Sequence, residues 1–174
     1  MKKLKTSELN RKSIQELKTG KKIPVVVVMD NIRSAHNAGS IFRTADAFMV
    51  RKIILCGITP QPPNREILKT ALGATESVDW KYENNVIDAL EDLKKLGYTI
   101  CGIEQTTKSI ALIDFKVEKD KMYALVFGNE ITGISDSILS LLDHCIEIPQ
   151  FGTKHSMNVS VTAGIILYDF SINL

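Results

Sequence analysis

The stretch Ile23-Pro24-Val25-Val26-Val27-Val28-Met29-Asp30 decides the fold class. Its β-branched run carries no polar alternation, so neither face of the strand it forms is set aside for water. Strands buried on both faces belong to parallel sheets covered by helices. Working outward, residues 36–49 place Ile41, Ala45 and Phe48 at helical spacing, and KIILCGI (52–58) repeats the buried-strand pattern. Pro60, Pro62 and Pro63 make 59–64 a loop. A short helix at 64–71 and a small strand near 77–80 follow. NNVIDALEDLKKLG (84–97) aligns Val86, Leu90, Leu93 and Leu96 on one helical face, with Gly97 as the stop. YTICGIE (98–104), KMYALVFG (121–128) and CIEIP (145–149) read as strands, and 135–142 and 157–172 as helices. Strands alternating with helices give an α/β class with a mostly parallel sheet and helices on both faces.

The chain has 174 residues, enough for one core without staples. At 44% hydrophobic and 24% charged, with 10 Gly and 5 Pro, it falls outside the collagen-like and disordered classes. No apolar run approaches a membrane span, and the basic N-terminus lacks the apolar core of a secretory signal. Cys56, Cys101 and Cys145 sit in apolar runs with no zinc-ligand spacing, and read as small buried hydrophobes in a reducing cytoplasm. His36, His144 and His155 form no ligand set with acids, so no metal is expected.

Charge is uneven. Residues 1–22 carry eight basic side chains against two acidic ones, net +6, while the remainder carries −4. The organisation expected is a basic arm over 1–22 and a single domain over 23–174. Within the arm, 7–18 is expected to form a helix capped by Ser7, with Leu9, Ile14 and Leu17 on one face and Gly20 ending it. Its Lys2, Lys3, Lys5, Arg11 and Lys12 either contact phosphates, together with Arg33 beyond the arm, or face only water.

Three segments break apolar elements with glycines and polar side chains. Asp30 to Thr44 leaves a strand and opens a helix carrying Asn37 and Arg43, at the sheet edge where α/β proteins bind ligands. Arg43, with apolar neighbours, is expected to be partly buried and paired with a carboxylate or phosphate. Phe127-Gly128-Asn129-Glu130-Ile131-Thr132-Gly133-Ile134 follows a strand directly, with two glycines around a lone carboxylate. Ile148-Pro149 leads through a polar loop to Ser156-Met157-Asn158 and the last helix. Each also admits a plainer reading: turn glycines, helix caps, an arginine paired with a core acid. Neither a dinucleotide fingerprint nor a hydrolase elbow is present.

On these residues the chain resembles the SpoU/TrmH-type RNA ribose 2′-O-methyltransferases of the SPOUT superfamily. Three motifs match in order: N-x-x-x-x-x-R as Asn37 to Arg43, G-N-E-x-x-G-I as Gly128 to Ile134, and I-P-x-x-G-x-x-x-S-x-N-V-S as Ile148 to Ser160. The match spans about residues 24–172. The resemblance implies a deep trefoil knot tied by about residues 122–172, S-adenosylmethionine as cofactor, and a homodimer. It implies cofactor contacts at Phe127, Gly128, Asn129, Glu130, Gly133, Ile148, Pro149, Ser156, Met157 and Asn158. It places the reaction at Arg43, Asn37, Glu130, Ser156 and Asn158.

The implied roles stay open between alternatives. Arg43 acts as base or, since a guanidinium holds its proton, as electrostatic stabiliser of a developing alkoxide, in its own subunit or its partner's. Asn37 and Ser156 orient Arg43 or the ribose. Asn158 holds a loop or the cofactor carboxylate, and Glu130 supports the pocket or pairs with Arg43. A reaction at a 2′-hydroxyl implies RNA as partner. The segment GYTICGIEQTTKS (97–109) looks most like eukaryotic enzymes that methylate a D-loop guanosine of tRNA. With the compact size, this favours tRNA over ribosomal RNA. The rival is a non-catalytic RNA-binding module on the same fold.

Overall fold

The computed structural model describes residues 1–174, apart from the side chain of Thr6. Seven parallel strands form one sheet: β1 (Ile23–Asp30), β2 (Val50–Cys56), β3 (Trp80–Glu83), β4 (Tyr98–Ile103), β5 (Ile110–Ala111), β6 (Met122–Phe127) and β7 (His144–Glu147). Their order is β3-β2-β1-β6-β4-β7-β5. The helices are α1 (Ile14–Thr19), α2 (Ala35–Ala47), α3 (Arg65–Ala71), α4 (Ala74–Ser77), α5 (Val86–Lys95) and α6 (Val159–Asn173).

The valine run behaves as its composition requires. Val25, Val27 and Met29 pack into a core under α2 and α6, while Val26 and Val28 pack on the opposite face against α5. All five are at most 2% exposed. Each fully buried side chain of this size contributes about 1.5–3 kcal/mol relative to exposure, which makes β1 the spine of the sheet. Its carboxyl end sits between those of β2 and β6. Gly39 lets α2 and α3 approach closely, because a Cβ there would meet the Ile67 carbonyl.

Several elements depart from expectation. The arm does not form a helix over 7–18 capped by Ser7. Thr6–Glu8 is a 3-10 turn, and α1 starts at Ile14 with a capping box in which Ser13 and Glu16 satisfy each other's backbone N–H. That reciprocal pair outcompetes the lone Ser7. Leu17 alone of its three apolar residues is buried; Leu9 and Ile14 are exposed. The small strand lies at Trp80–Glu83, after the single-turn α4. Asp136–Leu141 is 3-10 rather than α. Gly97 does stop α5, at φ +85°. Cys56 and Cys101 are buried, and burial, ahead of nearby carboxylates, pushes both thiols up to about 12. Among the described residues, no helix is long and apolar enough to cross a membrane.

Candidate functional site

The loops leaving β4, β6 and β7 meet at the carboxyl edge around a cavity of about 630 Å³, and the loop leaving β1 sits beside it against Glu130. The Gly128–Ile134 loop is its centrepiece. Asn129 and Gly133 exchange backbone hydrogen bonds of 2.9 Å, closing a tight antiparallel turn. Gly128 is buried where the returning chain crosses; a Cβ there would strike the backbone of Gly133 and Ile134. Gly133 takes φ +70°.

Glu130 leaves this loop for the start of α2. Its carboxylate accepts from the N–H of Arg33 (2.9 Å), the N–H of Ser34 (3.0 Å) and the Asn37 amide (2.8 Å). Negative charge is favoured at that helix end. Asn37 Oδ1 in turn accepts from Asn158 Nδ2 at 3.1 Å, while Asn158 Oδ1 caps α6 through the Ser160 N–H at 2.9 Å. One side-chain chain, Glu130–Asn37–Asn158, therefore joins all three motif segments.

Burial raises the Glu130 carboxyl, but the N–H of Arg33, the Asn37 amide, its own N–H and that of Ser34 outweigh it and hold it below the usual glutamate value. The folded protein binds fewer protons here than the unfolded chain. The stability from this group is complete above the ordinary glutamate range and is lost as pH falls through the depressed value. Glu130→Gln is expected to flatten the acid limb of stability below about pH 5, read by thermal melts. An unchanged limb would show that these donors do not favour the ionised form.

The edge is braced from below by residues that were not among the expected site residues. Asp30, fully buried, accepts from the Ser135 N–H and the Asn31 amide, both at 2.8 Å. Asn31, at φ +55°, accepts at its carbonyl from Asn129 Nδ2 (2.7 Å) and at its side chain from the Ile58 N–H (3.1 Å). Glu104, at the end of β4, lines the cavity and accepts from the N–H of Gln105 (2.8 Å) and of Ile134 (3.2 Å). The signal that reveals Glu104 is its place one residue past a strand's carboxyl end, the edge where such sheets bind ligands.

Phe127, Gly128, Asn129, Glu130, Gly133, Ile148, Ser156, Met157 and Asn158 line the cavity; Pro149 is exposed and does not. Asn129 is committed to the loop itself: its Oδ1 accepts from the N–H of Ile131 and Thr132 while its amide holds Asn31. Arg43 corrects the expectation most. It is exposed and lies outside the cavity lining. Among the described residues no carboxylate lies within ion-pair distance of it. Its apolar neighbours Ile41, Phe42 and Ala45 point into the core, so the helix presents Arg43 outward. Glu130 is held by α2's N-terminus and not by Arg43.

The wall combines apolar side chains, Ile103, Ile146, Ile148, Leu139 and Met157, with the carboxylates Glu104, Glu130, Asp136 and Glu147. No lysine or arginine is among its lining residues. Such a chamber suits a flat apolar ring joined to a cation and disfavours a phosphate-bearing nucleotide.

The model of the SpoU rRNA Methylase family matches residues 24–168. The chain belongs to this family. It is 34% identical over 144 residues to a 23S rRNA (guanosine-2′-O-)-methyltransferase RlmB of Neisseria meningitidis, covering 83% of this chain and 56% of that protein. It thus spans little more than half of that relative's length. Among solved structures, the A. aeolicus TrmH/SpoU tRNA modifying enzyme superposes with a TM-score of 0.81 at 28% identity, covering 92% of this chain and 80% of the other. An AdoMet-bound rRNA methyltransferase from Sinorhizobium meliloti gives 0.81 at 26% identity, covering 88% and 58%. SpoU methyltransferases use S-adenosylmethionine, and the apolar, acidic and lysine-free cavity of this family member fits that cation.

Proposed function

We propose that this protein methylates a ribose 2′-hydroxyl of RNA using S-adenosylmethionine, with tRNA, and a D-loop guanosine in particular, as the favoured target. The observation that carries the reading is the Glu130–Asn37–Asn158 bridge, which brings the three motif segments together beside a cation-compatible cavity. When bound, the cofactor supplies a sulfonium-activated methyl group. Phe127, Gly128, Ile148 and Met157 enclose it, and Ser156 at the cavity wall orients the ribose. Glu130, Asn37 and Asn158 are positioning groups, since their polar atoms hold one another across the loops. The Arg43 guanidinium grips the adjoining phosphate and stabilises the alkoxide as the hydroxyl loses its proton.

An exposed Arg43 outside its own chain's cavity suits a site completed across a homodimer. The apolar α6 leaves Val161, Ile165, Tyr168 and Ile172 exposed at helical spacing, a stripe that a second copy would cover. In this reading each subunit's Arg43 serves its partner's cavity. A trefoil knot in the C-terminal part is supported by strand order. β7 is inserted between β4 and the earlier β5, after which the chain crosses to pack α6 against α2. Phe115, from the segment after β5, stacks on Phe170 of α6. Lys2, Lys3, Lys5, Arg11 and Lys12 are all exposed, and with Arg33 they supply phosphate contacts.

Incubating the protein with radiolabelled donor and either tRNA or ribosomal RNA, followed by nucleoside mass spectrometry, tests this. 2′-O-methylguanosine in tRNA is expected. Label confined to ribosomal RNA would move the substrate to the class named for the Neisseria relative. A methylated base, or no label, would overturn ribose methylation; the second result would leave a non-catalytic RNA-binding module.

A further inference from the structure

The charge of the cavity wall has a consequence for the order of events, and it rests on the reading of the cavity as a methyl-donor site. Four carboxylates line the chamber, from four separate segments: Glu104 after β4, Glu130 in the loop after β6, Asp136 beyond that loop, and Glu147 at the end of β7. No basic side chain offsets them among the lining residues. Glu130 is engaged by three donors at the entry to α2, the N–H groups of Arg33 and Ser34 and the Asn37 amide. Glu104 is fixed by the N–H groups of Gln105 and Ile134, so its carboxylate is anchored to the turn that forms the cavity wall.

The two small molecules that occupy such a site in one turnover differ by one charge. S-adenosylmethionine carries a sulfonium, an ammonium and a carboxylate, net +1. On transfer the methyl passes to the ribose oxygen, the carbon–sulfur bonding pair stays on sulfur, and the hydroxyl proton departs to solvent. The spent S-adenosylhomocysteine is neutral overall. Adenine, ribose and the amino acid end are common to both, so apolar and hydrogen-bonding contacts contribute alike. The field of the wall acts on the difference.

We infer that the acidic wall makes this site selective for the charged methyl donor over its spent product, with Glu104 as the chief specificity-determining residue and Glu147 as a second contributor. Methyl transfer removes the positive charge that the wall retains, so the product leaves readily and donor reloads against it.

Isothermal titration of the full-length protein with each compound, at low and high salt, tests the inference. The donor is expected to bind about tenfold more tightly than the product at low salt, the ratio shrinking as salt rises. Glu104→Gln, and separately Glu147→Gln, are expected to reduce that ratio about threefold, Glu147→Gln while changing product affinity little. Glu147→Gln serves as the independent variant, since removing the Glu104 carboxylate also loosens its hydrogen bonds to the turn. Equal affinities, tighter product binding, or a ratio unmoved by both variants would overturn charge selection while leaving the methyl-donor reading intact. Binding of neither compound would overturn both.

Discussion

Arg43→Ala lowers methyl transfer at least ~100-fold and leaves donor affinity within about twofold of wild type: this is the first expected result. The argument is positional. Arg43 is exposed, contributes nothing to the cavity wall, and has no ionic partner among the described residues. Removing it therefore leaves no buried charge behind, and the melting temperature should hardly move. A side chain that the fold does not need, on the helix whose first turn is gripped by the cavity loop, is free to act on RNA. Arg43→Lys should not restore the rate, because an ammonium lacks the planar fork that holds a phosphate. Single-turnover kinetics beside donor calorimetry would check this. Turnover within a few-fold of wild type would remove Arg43 from the chemistry.

The second large effect is expected at Gly128. Gly128→Ala places a Cβ against the backbone of Gly133 and Ile134, not against a side chain that can swing away. The turn must open, and with it the paired hydrogen bonds of Asn129 and Gly133. Overpacking of this kind costs about 1–3 kcal/mol, so donor binding should weaken about 5- to 150-fold. The melting temperature should fall about 3–10 °C. Native donor affinity in this variant would show that the turn is not the cofactor wall.

Mixed together, the two variants test how the site is assembled. A heterodimer of Arg43→Ala with Gly128→Ala has one intact cavity and one intact arginine, on different chains. If Arg43 serves its partner, random mixing should return about a quarter of wild-type activity, since half the dimers are mixed and each has one working site. If Arg43 serves its own chain, the mixture stays as inactive as its parents. A variant preparation that sedimented as a monomer would remove the dimer from the reading.

The sequence by itself determined what depends on neighbours along the chain. Four consecutive valines required a strand buried on both faces, and Gly97 reached the positive φ that ends α5. The motif segments could be placed at strand ends because each follows an apolar run directly. Even locally, competition decided the arm. Ser13 with Glu16 made a better cap than Ser7, and only Leu17 found a core to enter. Tertiary structure alone decided what depends on strand order. β6 takes its place between β1 and β4, which sets Glu130 of the loop after β6 on the first turn of α2, 93 positions away in sequence from Asn37. The same arrangement gave Glu104 and Asn31 their bracing roles and turned Arg43 outward. Hydrogen bonds across such distances carry no periodic signature, because their partners become neighbours only after the sheet has closed.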